Sequence, residues 1–213
     1  MTCCQRSPIM PDVSDFQLFM NDALTLFGLT TTPLELISFL LSVATVALNI
    51  RQVHWAWLFS ILSSVLYAAV FFDARLYGDM GLQFVFIVVS VWGWWCWLRG
   101  SDAQPALTVS ALTARGRWEC AGIWLLMFAL CAWFLHHLTD TDVPLADGFL
   151  TAGSLIGQYL LSRKKIENWH VWIIVDVLYV GLYVYKNLYL TAVLYAIFIG
   201  MAISGLRAWR KYV

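Results

Sequence analysis

The sequence predicts an all-α integral membrane protein of seven transmembrane helices, laid out as three helices, one linker helix and three more. Composition is the first observation behind this. Of 213 residues, 61% are hydrophobic and 12% charged, with a mean hydropathy of +0.73. Such a chain has too few polar side chains to coat a water-soluble globule. The second observation is a series of seven apolar stretches of spanning length. The third is an internal repeat. At an offset of 112 positions, without a gap, Arg51 falls on Arg163, Trp57 on Trp169, Tyr67 on Tyr179, Tyr77 on Tyr189, Gly93 on Gly205 and Trp97 on Trp209. Leu, Val and Ile coincide by chance in any apolar chain, but paired tryptophans, tyrosines and an arginine in one register do not. A repeat of this kind predicts two half-bundles with a site between them.

The expected spans run over 33–50, 54–72, 79–98, 118–136, 145–162, 169–186 and 188–208. Each is helical because lipid offers no partner for a backbone amide, so every amide must be satisfied within its own segment. The connections are short except for SDAQPALTVSALTARGR, residues 101–117. Residues 15–28, DFQLFMNDALTLFG, alternate apolar and acidic positions in a helical manner and read as a surface amphipathic helix, with a disordered tail as the alternative. The division is therefore an N-terminal segment over 1–32, a first three-helix repeat over 33–99, a loop and linker helix over 100–144, and a second repeat with a short tail over 145–213. The beginning lacks the apolar core of a signal peptide, so no cleavage is expected.

Orientation follows from the basic residues, which are retained in the cytoplasm. If the first span starts outside, Arg51, Arg99, Arg115, Arg117, Arg163, Lys164, Lys165, Arg207, Arg210 and Lys211 all fall inside. Only Arg6, Arg75 and Lys186 fall outside. The N-terminus is expected outside and the C-terminus in the cytoplasm. Because the fourth helix reverses direction alone, the two repeats run parallel about an axis along the membrane normal.

Several function classes are excluded. Formal net charge is zero, so no electrostatic attraction to nucleic acid exists. The five cysteines show no zinc or redox spacing and read as packing residues. No nucleophile–base pair, metal motif or phosphate-cradling loop is present, which predicts a protein that is not an enzyme and needs no cofactor.

Polar groups within the spans carry the functional expectation. Asp176 sits near the middle of the sixth span, where a carboxylate is expensive unless it faces the protein interior. Tyr179, Tyr183 and Asn187 continue its face at i+3, i+7 and i+11. In the third span Asp79, Gln83, Phe86, Ser90 and Trp94 share a face, and the Gln83 amide can both donate and accept. Asn49 and Gln158 are further amides of this kind, and Tyr67 marks the matching face of the second span, where Ser64 is the repeat-mate of Asp176. Trp55, Trp57, Trp97, Trp118, Trp169 and Trp209 fall at span ends and read as an interfacial indole belt. Amides, hydroxyls and aromatic rings without a mid-depth arginine suit a flat, uncharged or weakly cationic ring rather than a phosphorylated solute.

The run WAWLFSILSSVLYAAVFFDARLYGDMGLQFVFIVVSVWGWWCW, with its second-half counterpart ENWHVWIIVDVLYVGLYVYKNLYLTAVLYAIFIGMAISGLRAW, resembles the bacterial nicotinamide riboside transporter family, PnuC. The residues that carry this are LYGD with Gln83, the W-x-x-W of Trp169 and Trp172, and the G-x-x-x-W of Gly205 and Trp209, within a likeness covering roughly residues 33–211. The resemblance implies an inner-membrane carrier that takes up nicotinamide riboside by facilitated diffusion, with phosphorylation by a separate cytoplasmic kinase preventing return. It also implies SWEET-like architecture and assembly as a homo-oligomer, a trimer. Relatives carrying riboflavin or thiamine keep the exact vitamin open, and proton coupling or a non-transporting scaffold are the remaining alternatives. Motif and geometry together assign Gln83, Asn49 and Gln158 to amide or hydroxyl groups of the solute, and Trp94 and Tyr183 to its ring. They assign Asp176, Tyr179 and Asn187 to ribose or to gating the outer side, and Tyr77, Asp79 and Tyr67 to the gate or entrance.

Overall fold

The computed structural model describes residues 24–26, 29–31, 33–73, 77–99, 107–139, 143–185 and 189–213. All seven expected helices are present: α1 (Pro33–Ile50), α2 (Ala56–Asp73), α3 (Tyr77–Leu98), α4 (Ala114–Leu138), α5 (Pro144–Ser162), α6 (Glu167–Tyr185) and α7 (Tyr189–Trp209). Adding 112 to the bounds of α1, α2 and α3 gives 145–162, 168–185 and 189–210, within one residue of α5, α6 and α7. Both first helices begin on proline, whose fixed φ and missing N–H suit the first helical turn. A short antiparallel hairpin, β1 (Leu24–Leu26) and β2 (Leu29–Thr31), precedes α1. Leu24–Leu26 is thus extended where the surface helix was expected, because Gly28 and the β-branched Thr25, Thr30 and Thr31 disfavour helix there. The rest of that stretch, residues 15–23 and 27–28, lies outside the described residues.

Among the described residues, Met80–Leu98, Ala114–Leu138 and Ala192–Tyr212 are long and apolar enough to cross a bilayer, and Leu36–Ile50 and Ala56–Ala69 are shorter apolar helices. α5 is the interior helix of the bundle, with eleven of its residues buried. α5 packs against α3, α4 and α6, and Gly148, Gly153, Gly157 and Gln158 are all buried along it. Small residues let the helices approach closely, as association in lipid requires. A Cβ on Gly148 would stand 2.7 Å from the Ala132 backbone nitrogen of α4.

The two repeats meet through α1 with α7 and α3 with α5, which are equivalent pairs under the repeat. Their seam is closed at one end, the end bearing Arg51, Arg163 and Arg210, called here the basic end. There Trp57 and Trp97 stand edge to face at 5.4 Å, and Trp169 and Trp209 do so at the same 5.4 Å. Trp97 and Trp209 face each other across the seam at 6.5 Å. Trp97 donates its indole N–H to the Leu161 carbonyl in the last turn of α5 (3.3 Å), and Trp209 donates to the Ile50 carbonyl that ends α1 (3.2 Å). Trp209 therefore satisfies a carbonyl left at the end of α1, and Trp97 adds a second donor to a carbonyl that also accepts the Lys164 N–H at 3.0 Å. These four indoles are 0–9% exposed, so they form an internal lock rather than the expected belt. Trp55 and Trp118, by contrast, are exposed.

The turns beside the lock are built alike. Gln52 (φ 57°) and Lys164 (φ 48°) take the left-handed conformation. Val53 N–H then reaches the Leu48 carbonyl at 3.0 Å, and Lys165 N–H the Leu160 carbonyl at 2.9 Å. This is the closure that usually carries glycine. Lys164 offsets part of that strain by placing its ammonium 4.7 Å from the Trp97 ring, and burial pushes its pKa below the ordinary lysine value. The α3–α4 connection docks on the same turn of the second repeat. Ser110 exchanges backbone hydrogen bonds with Lys164 and Ile166 and accepts from the Lys165 ammonium at 2.9 Å.

Two sets of substitutions test this packing by thermal unfolding of the purified protein in detergent. A Cβ on Gly93 would lie 2.4 Å from Trp57, and one on Gly205 2.6 Å from Trp169, whereas nothing lies within 4 Å at Gly81 or Gly200. Gly93→Ala and Gly205→Ala are expected to destabilise by about 1–3 kcal/mol each through overpacking, while Gly81→Ala and Gly200→Ala leave stability unchanged or raised. Trp97→Phe and Trp209→Phe are each expected to lose roughly 0.5–1.5 kcal/mol for the hydrogen bond removed. Trp133→Phe, at an exposed indole, should lose nothing.

Candidate functional site

Away from the basic end, α6 and α7 carry a cluster of tyrosines. Asp176 is only 4% exposed near the middle of α6, and α6 presents Tyr179 and Tyr183 along the same face in the following two turns. Their rings stack at 5.6 Å with planes 15° apart. Tyr195 of α7 closes against both, at 4.6 Å and 5.2 Å, and Phe198 meets Tyr195 edge to face at 5.7 Å. The Tyr195 hydroxyl lies within electrostatic reach of Asp176, Tyr179 and Tyr183, and also of Tyr67 on α2 of the first repeat. Three phenols of the second repeat thus pack together, with Asp176 of α6 and Tyr67 of the first repeat in their electrostatic surroundings. Their aromatic faces are negative, their hydroxyls donate and accept, and no lysine or arginine is among them. That chemistry suits a flat cationic or hydroxyl-bearing solute and opposes a phosphate.

The expected site residues fall into separate groups. Asp176, Tyr179, Tyr183 and Tyr67 come together in this cluster. Gln158 is buried and donates to the Ser90 hydroxyl at 3.3 Å, which in turn is 3.0 Å from Ser60. Its amide therefore ties α5 to α3 and α2. Asn49 lies in the last turn of α1 at the basic end, buried, with no hydrogen-bond partner for its Oδ1 among the described residues. Trp94 packs against the tryptophan lock, 5.9 Å from Trp55. Gln83 is half-buried on α3. Eleven residues separate it from Trp94, roughly 16 Å along a helix, so the two cannot hold one small ring together. Tyr77 and Asp79 belong to the first turn of α3, and their side chains lie outside the described residues, as does Asn187.

Tyr195 is the member of the cluster that sequence reasoning passed over as a site residue. Its signal was present in the repeat: it is the mate of Gln83, one of the positions where the halves differ. A second polar thread runs through the first repeat alone, where Ser42 and Ser63 are 2.8 Å apart and Ser63 donates to the Ser38 carbonyl at 3.3 Å.

Comparison with known proteins agrees with this architecture. The nicotinamide mononucleotide transporter family matches residues 32–211. The riboflavin/roseoflavin transporter RibM of Streptomyces davaonensis is 25% identical over 89% of this chain and 90% of its own length. The nicotinamide riboside transporter PnuC of Neisseria mucosa is 29% identical over 74% of this chain and 64% of its own length, and that of Escherichia coli is 22% identical over 72% and 74%. The crystal structure of the vitamin B3 transporter PnuC superposes with a TM-score of 0.70 at 25% identity, covering 84% of this chain and 81% of that one. With its seven-helix fold and a match over nearly all of its helical region, the chain belongs to the nicotinamide mononucleotide transporter family of membrane transporters.

Proposed function

We propose that the protein carries nicotinamide riboside across the bacterial inner membrane, binding it between the two repeats. The single observation that carries this reading is the cluster of Asp176 with Tyr67, Tyr179, Tyr183 and Tyr195 at the seam. The pyridinium ring of nicotinamide riboside is cationic and flat, so it gains from tyrosine faces and from a buried carboxylate that otherwise has no reason to be in lipid. Its ribose hydroxyls match the phenols. The absence of a basic residue from this set argues against the phosphorylated mononucleotide.

Riboflavin is the second reading, favoured by the length over which RibM matches. Its neutral ring gains from stacking but not from Asp176, so the carboxylate discriminates between the two vitamins.

The basic end faces the cytoplasm, with the N-terminus outside, in keeping with the retention of lysine and arginine. The tryptophan lock closes that side, and transport proceeds as the repeats rock about the seam and expose the site alternately. Facilitated diffusion needs no ion, and a separate cytoplasmic kinase traps the product. A homotrimer is the assembly this reading adopts.

Titration calorimetry on the purified protein tests the assignment. Nicotinamide riboside is expected to bind more tightly than riboflavin. Asp176→Asn and Tyr195→Ala should each weaken it about tenfold or more, the size of a lost desolvated cation contact of roughly 1.4–2 kcal/mol, with the thermal unfolding midpoint retained. Tighter binding of riboflavin, unaffected by Asp176→Asn, would move the assignment to the flavin.

A further inference from the structure

α4 and α6 flank α5 on one side of the bundle. At the basic end they leave an open cleft of about 580 Å³ between them. Its floor is α5 at Leu160, its walls include Trp124 of α4 and Ile174 of α6, and Arg117, Glu167, His170 and Arg210 stand at its mouth. The Trp124 N–H is spent on the Phe149 carbonyl at 3.2 Å, so the indole is held in place by a group outside the cleft.

Charge at the mouth is unbalanced. The Glu167 carboxylate is occupied: it accepts from the Leu112 N–H at 3.0 and 3.1 Å and from Arg117 Nε at 3.2 Å. Arg210 has no carboxylate within ion-pair distance among the described residues, and it sits with Arg117 in the electrostatic surroundings of His170. α4 and α6 also both begin here, so the positive ends of two helix dipoles add to the arginines. An apolar trough with a single cationic mouth, on the flank of a membrane bundle, has the shape and polarity of a phospholipid.

We infer that this cleft is a binding site for one anionic phospholipid, its phosphodiester held by Arg210 and Arg117 and one acyl chain lying along the trough. A free phosphate would leave the trough unfilled. The first repeat has no counterpart, because α4 has no repeat-mate, so the occupancy is about one lipid per chain. The lipid headgroup would bear on the Arg117–Glu167–Leu112 contacts that hold the α3–α4 connection to α6.

Native mass spectrometry of the full chain, delipidated in detergent and titrated with phosphatidylglycerol or phosphatidylcholine, tests this. The expected result is retention of one phosphatidylglycerol per chain in preference to phosphatidylcholine, unaffected by millimolar inorganic phosphate. Arg210→Ala should lower the retained fraction about fivefold through loss of a charge-assisted contact, and Ala121→Trp, which fills the trough from α4, should remove it. Ile174→Trp fills the same trough from α6 and replaces Ala121→Trp if that variant does not fold. Equal retention of both lipids, displacement by inorganic phosphate, or unchanged retention in the variants would overturn the site. A change in subunit stoichiometry with lipid retention unaltered would overturn it too, assigning the cleft to a second copy of the chain.

Discussion

Two indole N–H groups cross the seam in opposite directions, Trp97 to the Leu161 carbonyl and Trp209 to the Ile50 carbonyl, and the rest of the structure is arranged around them. A helix that ends in or near lipid leaves carbonyls that need partners. Here each repeat's third helix reaches a carbonyl at the end of the other's first helix, at Ile50 and, beside the Lys164 N–H, at Leu161. The bilayer provides no hydrophobic drive between helices, since lipid tails are as apolar as leucine. What holds the halves together at the basic end is therefore shape and these hydrogen bonds. Gly93 and Gly205 make room for Trp57 and Trp169, which in turn wedge Trp97 and Trp209 into place. Each bond is worth about 1 kcal/mol.

Symmetry in the lock leaves the site free to be asymmetric. The residues that build the closure recur at the repeat offset: Trp57 and Trp169, Gly93 and Gly205, Trp97 and Trp209, and the left-handed turns at Gln52 and Lys164. The residues that build the tyrosine cluster do not, apart from Tyr67 and Tyr179. Ser64 stands opposite Asp176, and Gln83 opposite Tyr195. The second repeat thus carries charge and rings where the first carries a hydroxyl and an amide.

The fold was legible because its constraints are periodic. Apolar stretches and the repeat placed every helix to within a few residues, and the mismatch at Asp176 pointed to the cluster. What escaped was which face of each helix looks inward. Trp57 and Trp169 sit at helix ends, where an indole is ordinarily an interfacial anchor, and nothing local distinguishes them from Trp55. Only the close approach of Gly93 and Gly205, a tertiary fact, turns them into core. Trp94 and Gln83 illustrate the converse. They share a helical face, yet that face is long enough for Trp94 to pack against the lock while Gln83 stands roughly 16 Å away, so shared phase did not mean a shared ligand. Gln158 was expected to bind amide or hydroxyl groups of the solute, and its amide donates to Ser90, a partner on another helix that spacing along one helix does not reveal.

Exchange of labelled nicotinamide riboside into liposomes preloaded with unlabelled solute, carried out with the purified chain, bears most directly on transport through this seam. Saturable accumulation that vanishes in Asp176→Asn while Trp133→Phe retains it is the expected result. Absence of exchange by a folded protein, or uptake linear in concentration and indifferent to Asp176, would contradict a carrier whose binding site is the tyrosine cluster between its repeats.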